Sequence, residues 1–255
     1  MSDVLVLCYH AVSPTFPAPL SVTPDAFERQ LERLVRRGYR GATFHTAVTS
    51  PADDPTLVVT FDDAYLSVLE CAKPIMDRLG LVGTVFVPTD YPDREAPMAW
   101  PGIDQWLGGE HEPELLPMTW AQMRDLADRG WEIGSHTCSH PHLTQLDADT
   151  LDREMIVSRR ECERNLGRPC MSIAYPYGDY DARVADAAGR AGYQAACTLP
   201  ARFHEARPLE WPRVGVYHAD DDRRFRLKVS PGLRRLRASR AWSMLDGLRR
   251  KVRRS

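Results

Sequence analysis

Six short apolar runs rich in β-branched residues, separated by stretches with amphipathic helical patterns, constrain this chain more than any other feature. They are Val4–Cys8, Leu57–Phe61, Gly83–Val87, Trp131–Ile133, Met171–Ala174 and Gln194–Thr198. Strand followed by helix, repeated, predicts a parallel α/β architecture. The helix signals between the runs are explicit. Thr23 precedes Pro24, and Phe27, Leu31, Leu34 and Val35 follow at helical spacing until Gly38, the order expected of an N-cap, a first-turn proline and a C-terminal glycine. Thr119 and Gly130 bracket a second helix in the same way. Residues 89–118 are rich in Pro, Gly and Trp without a period, which predicts a long loop over one end of the sheet or barrel, where a cleft is shaped.

With 255 residues and 43% hydrophobic content, the chain can bury the core of one large α/β domain or two small ones, which excludes disorder as a description of the whole. It shows no internal repeat and no low-complexity linker, so one domain over residues 1–222 and a basic tail over 223–255 is the economical division. The net charge of −2 hides that asymmetry: the tail carries 13 Lys or Arg against Asp246 alone, after a body with 34 acids and 20 bases. The six cysteines lack CxxC spacing and read as free thiols, with no support for a cysteine zinc ribbon. The chain runs from Met1 straight into an apolar strand without export features, and no stretch approaches the roughly 18 apolar residues of a membrane span. The expectation is a soluble, cytoplasmic protein.

Three segments carry candidate chemistry, each at the end of an expected strand. Thr60-Phe61-Asp62-Asp63 places two adjacent carboxylates after a buried strand, an arrangement that raises their pKa values unless they meet a cation. Neighbours on an extended chain point in different directions, so one can bind a metal while the other moves a proton; the bland alternative is a solvated loop capping the next helix. Ser135 to His140 adds two histidines four apart, which in a helical turn would face one side and ligate one ion. Two neutral imidazoles and one carboxylate leave open positions on a metal such as Zn²⁺, as in catalytic sites. Ala174-Tyr175-Pro176-Tyr177-Gly178 is the third segment, and taken alone it reads as an ordinary turn.

These three segments, in this order, resemble the first three motifs of the polysaccharide deacetylases, the NodB-homology family also called carbohydrate esterase family four, over about residues 4–217. The resemblance implies a distorted (β/α) barrel with fewer than eight regular units. It further implies Asp63, His136 and His140 as ligands of a divalent metal, Zn²⁺ by expectation, with Asp62 as general base and the backbone N–H of Tyr177 as oxyanion donor. Two features depart from the family pattern. Ala174 stands where an arginine commonly orients the base, and no Leu-x-His segment follows Tyr177, His218 being a weak stand-in for the general acid. Cys8-Tyr9-His10-Ala11-Val12 resembles the opening of the subgroup that includes poly-N-acetylglucosamine deacetylases, whose barrels are permuted, and this assigns His10 as general acid. Arg213 is the candidate for the missing guanidinium.

The expected activity is removal of an N-acetyl or similar acyl group from a carbohydrate, either an N-acetylated glycan or a lipid-linked sugar. Two rival readings are an amidase acting on a small non-sugar amide such as a cyclic ureide, and a catalytically inactive carbohydrate-binding barrel, against which the retention of both Asp62 and Asp63 speaks. Tyr65, Tyr177, Trp100, Trp106 and Trp120 are candidates for stacking on sugar faces. In the tail, Leu227, Val229, Leu233, Leu236, Trp242, Leu245 and Leu248 alternate with bases, which fits an amphipathic segment peripheral at the inner membrane surface or on a partner. A solvated or packed final helix is the alternative, and nucleic-acid binding is not expected because no recognised module accompanies the charge.

Overall fold

Each of the six apolar runs forms a parallel strand in the computed structural model, which describes residues 3–94, 96–200 and 206–238, with side chains described as far as 234. The strands are β1 (Val4–Tyr9), β2 (Arg40–Gly41), β3 (Thr56–Phe61), β4 (Gly83–Val87), β5 (Glu132–Ser135), β6 (Ser172–Ala174), β7 (Ala195–Thr198), β8 (Trp211–Pro212) and β9 (Val214–Gly215). The α-helices are α1 (Pro24–Val35), α2 (Phe44–Thr49), α3 (Lys73–Arg78), α4 (Trp120–Asp128), α5 (Ala148–Leu166), α6 (Ala182–Ala191), α7 (Asp222–Lys228) and α8 (Pro231–Ala238). The caps fall where the sequence puts them. Thr23 Oγ1 accepts from Ala26 N–H, and Thr119 and Gln122 form a reciprocal capping box at the start of α4.

The strand order is β8-β7-β6-β5-β4-β3-β1-β9, with β2 added beside β3. Because β8 and β9 are two ends of one stretch with only Arg213 between them, that stretch pairs with β7 on one side and β1 on the other. The eight strands of the path are thus seven staves of a closed ring, fewer than eight as expected. Period-two alternation sorts the side chains. Leu5, Leu7, Leu57, Val59, Val85 and Ile133 point outward and pack beneath the helices, whereas Val6, Val58, Phe86, Ala174 and Cys197 fill the interior. Phe44 and Ala47 of α2 plug the end from which the strands start. Gly134 is obligatory on β5, since a Cβ there would stand 2.6 Å from both the Phe86 ring and Ser172 Oγ.

The basic segment set off from residue 223 begins in α7, and Phe225 of that helix and Val229 just after it are buried in the main core. In α8, Arg234 donates to both carboxylate oxygens of Asp3 at 2.7 Å. Trp242, Leu245 and Leu248 lie outside the described residues, as does the side chain of Leu236.

Candidate active site

The three motif segments leave their strands abruptly. Asp62 N–H still donates to Tyr9 O and extends the β1–β3 ladder by one residue, after which Asp63 and Ala64 turn left-handed with φ of 68° and 55°. Thr137 and His140 (φ 68° and 62°) do the same beyond β5, and Tyr177 (φ 59°) beyond β6. Among the described non-glycine residues with positive φ, all but Asp93 lie within these three segments or, as Ala64 does, directly after one. Such conformations cost about 1–2 kcal/mol each for an L-residue, and their concentration at three neighbouring strand ends marks a functional site held by its surroundings.

One expectation is corrected here. His136 to His140 is not a helical turn but an irregular loop, because its small polar residues bond the backbone locally. Ser135 Oγ accepts from Thr137 N–H, Thr137 Oγ1 from His140 N–H, and Glu154 of α5 from both Cys138 N–H (2.7 Å) and Ser139 N–H (3.1 Å). The loop brings the two imidazoles together nonetheless.

Asp63 Oδ1 lies 3.5 Å from His136 Nε2 and 3.4 Å from His140 Nε2, and all three residues are buried. That oxygen has no hydrogen-bond partner among the described residues. His136 Nδ1–H donates to Ala174 O at 2.7 Å, so the neutral ring keeps its Nε2 lone pair free. Burial depresses the pKa of His136 and His140 alike, and the nearness of His136 adds to the effect on His140. Burial and the adjacent Asp62 charge push Asp63 well above the usual carboxylate range. An orphan carboxylate oxygen facing two neutral imidazole nitrogens is a donor set that fits a divalent cation.

Asp62 has the opposite electrostatics. Burial alone would raise its pKa, but the Arg213 guanidinium, with His136 beside it, holds the carboxyl well below its ordinary range. Arg213 is 1% exposed and lies inside the barrel. Its Nη1 donates to Asp62 Oδ1 at 2.6 Å and to Thr60 Oγ1 at 3.0 Å, its Nη2 donates to Asp62 Oδ2 at 2.8 Å, and the guanidinium sits 5.6 Å from the Phe86 ring centroid. The Cys8 thiol donates to the same Asp62 Oδ2 at 3.4 Å, a contact that nothing in the spacing of the sequence signals.

A pocket with a cavity volume of about 180 Å³ opens over these groups, lined among others by His10, Asp62, Asp63, His136, His140 and Tyr177. Leu20, Ile103 and Leu199 give it apolar walls, and Trp100 to Ile103 of the long loop cover one side. The His10 imidazole is lowered to about 4 by burial, against the pull of Asp62. The Tyr177 ring is 40% exposed, stacks on His142 at 4.0 Å and donates its hydroxyl to Pro101 O. Of the other aromatic candidates, Trp100 reaches the pocket, whereas Trp106 packs on Phe16 and His111, Trp120 is buried at the start of α4, and Tyr65 is buried with no exposed face. His218 does not line the pocket; its backbone N–H donates to Pro19 O.

A seven-stave barrel with this buried carboxylate–imidazole group at its strand ends is matched by the polysaccharide deacetylase sequence profile over residues 49–196, and the chain belongs to that family. The matched span contains Asp62, Asp63, His136, His140 and Tyr177 but neither His10 nor Arg213. The Bacillus subtilis protein YxkH is 27% identical over 198 residues, which are 76% of this chain and 63% of YxkH. Among solved structures, the Streptococcus pyogenes deacetylase PplD in complex with acetate superposes with a TM-score of 0.71 at 23% identity, covering 90% of this chain and 99% of that one. IcaB from Ammonifex degensii gives 0.65 at 22% identity, covering 85% and 92%. These two likenesses establish the shared fold.

Proposed function

We propose that the protein is a metal-dependent hydrolase that removes an acetyl or similar acyl group from the nitrogen of a carbohydrate. The observation that carries this reading is the convergence of Asp63, His136 and His140 beside an Asp62 that Arg213 keeps ionised. Asp63, His136 and His140 would hold the ion, for which Zn²⁺ is the best candidate. Two ligands bonded to zinc at about 2.0–2.1 Å and a tetrahedral angle stand about 3.3–3.4 Å apart, which agrees with the 3.4 and 3.5 Å separations here. When bound, such an ion lowers the pKa of water and polarises the acyl oxygen.

The remaining work falls to the chain. Asp62, ionised and free of the metal group, takes the proton of the attacking water. The Tyr177 N–H donates to the oxyanion that forms at the acyl carbon. His10, whose ring nitrogen lies within 4.8 Å of the Asp62 carboxylate, donates a proton to the nitrogen as the C–N bond breaks, so that the products are the free amine and a carboxylate. Burial lowers the pKa of His10 to about 4, so the imidazole starts neutral, and the proton it passes to the nitrogen is the one that Asp62 took from the water. The exposed Tyr177 ring supplies a face for a sugar, while the barrel read as an inactive binding module would leave the buried Asp62–Arg213 pair without a task.

The substrate is an N-acetylated glycan or lipid-linked sugar, and the protein works in the cytoplasm against the inner membrane surface. Support for that placement is the basic segment from Arg223, where Leu227 is 48% exposed among Arg223, Arg224 and Arg226. No described helix is long and apolar enough to cross a membrane. The test is acetate release from N-acetyl sugars, chitooligosaccharides and lipid-linked glycans, with the protein stripped by chelator and then reloaded with Zn²⁺. Release restored by metal supports the proposal; no release from any of them under either condition removes it.

A further inference from the structure

The two imidazoles that face Asp63 are held by different means. His136 is fixed by a hydrogen bond from Nδ1 to Ala174 O. His140 Nδ1 is buried and makes no hydrogen bond to another described residue. An imidazole is free about its outer side-chain torsion, which is broad rather than sharply staggered. A metal-binding histidine is ordinarily steadied by a partner on its second nitrogen. What encloses His140 is aromatic. The Trp100 indole lies over the ring at a centroid distance of 4.3 Å and an interplanar angle of 21°, and the Tyr177 ring meets it at 4.6 Å and 69°.

Trp100 is itself firmly placed. It is 6% exposed, Tyr91 packs against it edge to face at 5.0 Å, and its carbonyl accepts from Ile103 N–H and Asp104 N–H. The Tyr177 hydroxyl donates to Pro101 O at 3.2 Å, so the two walls around His140 are joined next to Trp100. An indole face is electron-rich. It steadies the plane of the imidazole and favours the partial positive charge that the ring takes on as a ligand.

Resting on the metal reading above, we propose that Trp100 is a positioning residue for His140, so that the long loop over residues 89–118 sets how tightly the centre holds its ion. The indole face turned to His140 is then not a sugar platform, and that part falls to Tyr177.

The test is metal affinity, measured by competition of Zn²⁺ with a chromophoric chelator, together with the visible d–d spectrum of the Co²⁺-loaded protein. Wild type, Trp100→Ala, Trp100→Phe and Trp100→Leu are compared, with Leu107→Ala, in the same loop but outside the pocket, as the control. Trp100→Ala is expected to weaken Zn²⁺ binding by about 10–100-fold, the usual consequence of losing a ligand's outer support, and to alter the Co²⁺ bands. Trp100→Phe, which restores a flat face, recovers most of the affinity, and Leu107→Ala matches wild type. If circular dichroism shows Trp100→Ala unfolded, the Phe and Leu variants decide: both are apolar, but only Phe has a face to stack. Equal affinities and spectra for Phe and Leu, or a folded Trp100→Ala that binds as wild type does, overturn the role of Trp100 alone. A wild-type protein that binds neither ion overturns the metal reading and this inference with it.

Discussion

Replacing Arg213 by Met removes the charge while keeping most of the buried volume, and it tests the electrostatic design of the site more directly than any ligand mutation. The guanidinium is fully enclosed and spends both Nη atoms on Asp62. Removing one partner of a buried pair costs about 3–5 kcal/mol, because the other charge is left without compensation. For a domain of this size that corresponds to a fall in Tm of about 6–20 °C. The second effect is on protonation. Burial is the largest influence on Asp62, and it acts upward. Without Arg213 the carboxyl therefore rises from its depressed value, and a protonated Asp62 takes no proton from water. Deacetylation is expected to fall by about 10²–10⁴-fold, the usual share of a positioned base, at unchanged metal affinity. Thermal denaturation, chelator competition and acetate release separate the three quantities. Asp62→Asn combined with Arg213→Met should destabilise by well under the sum of the two single changes, since the double variant leaves no lone buried charge. A variant Arg213→Met within 1 kcal/mol of wild-type stability and with near-normal turnover would refute the reasoning.

Three further outcomes are expected. Asp62→Asn retains the ion but loses most turnover, whereas His136→Ala loses both; equal metal loss in the two, read by chelator competition, would show the roles of ligand and base to be misassigned. His10→Ala leaves metal affinity and folding nearly intact while lowering kcat for an amide, and it affects an activated aryl ester much less, because that leaving group needs little protonation. A common factor for both substrates removes His10 as the acid. Vesicles containing anionic lipid should sediment with the protein at low salt, and Leu227→Glu with Arg223→Glu and Arg226→Glu should abolish this; sedimentation unchanged by those substitutions, or equal on neutral vesicles, counts against the membrane placement.

The parts of the fold that rest on local pattern were legible beforehand. The apolar runs became β1, β3, β4, β5, β6 and β7, and Thr23 and Thr119 cap their helices. What pattern does not show is β2, β8 and β9, since two-residue strands have no period to detect. The convergence of His136 and His140 came through a loop with left-handed residues rather than through the 3.6-residue helical repeat, so the spacing was informative and the geometry inferred from it was not. Arginine is ordinarily exposed, and nothing adjacent to Arg213 marks it as a residue of the barrel interior. Contacts such as Trp100 on His140 and Cys8 on Asp62 join residues 40 and 54 positions apart, and no local rule reaches that far.

The stave that carries Arg213 also gives the protein a schedule. It pairs with β1 through Leu7 opposite Val214, contacts that join nearly opposite ends of the chain. During synthesis the strands emerge in order and the N-terminal portion organises first. Asp63, His136 and His140 are all synthesised before residue 213. In the finished barrel burial pushes the Asp62 carboxyl up, and the Arg213 guanidinium more than reverses that push. The last stave brings the guanidinium to Asp62 and, in the same stretch, joins β7 to β1. Closure of the ring and pairing of the buried Asp62 carboxylate are therefore a single structural step.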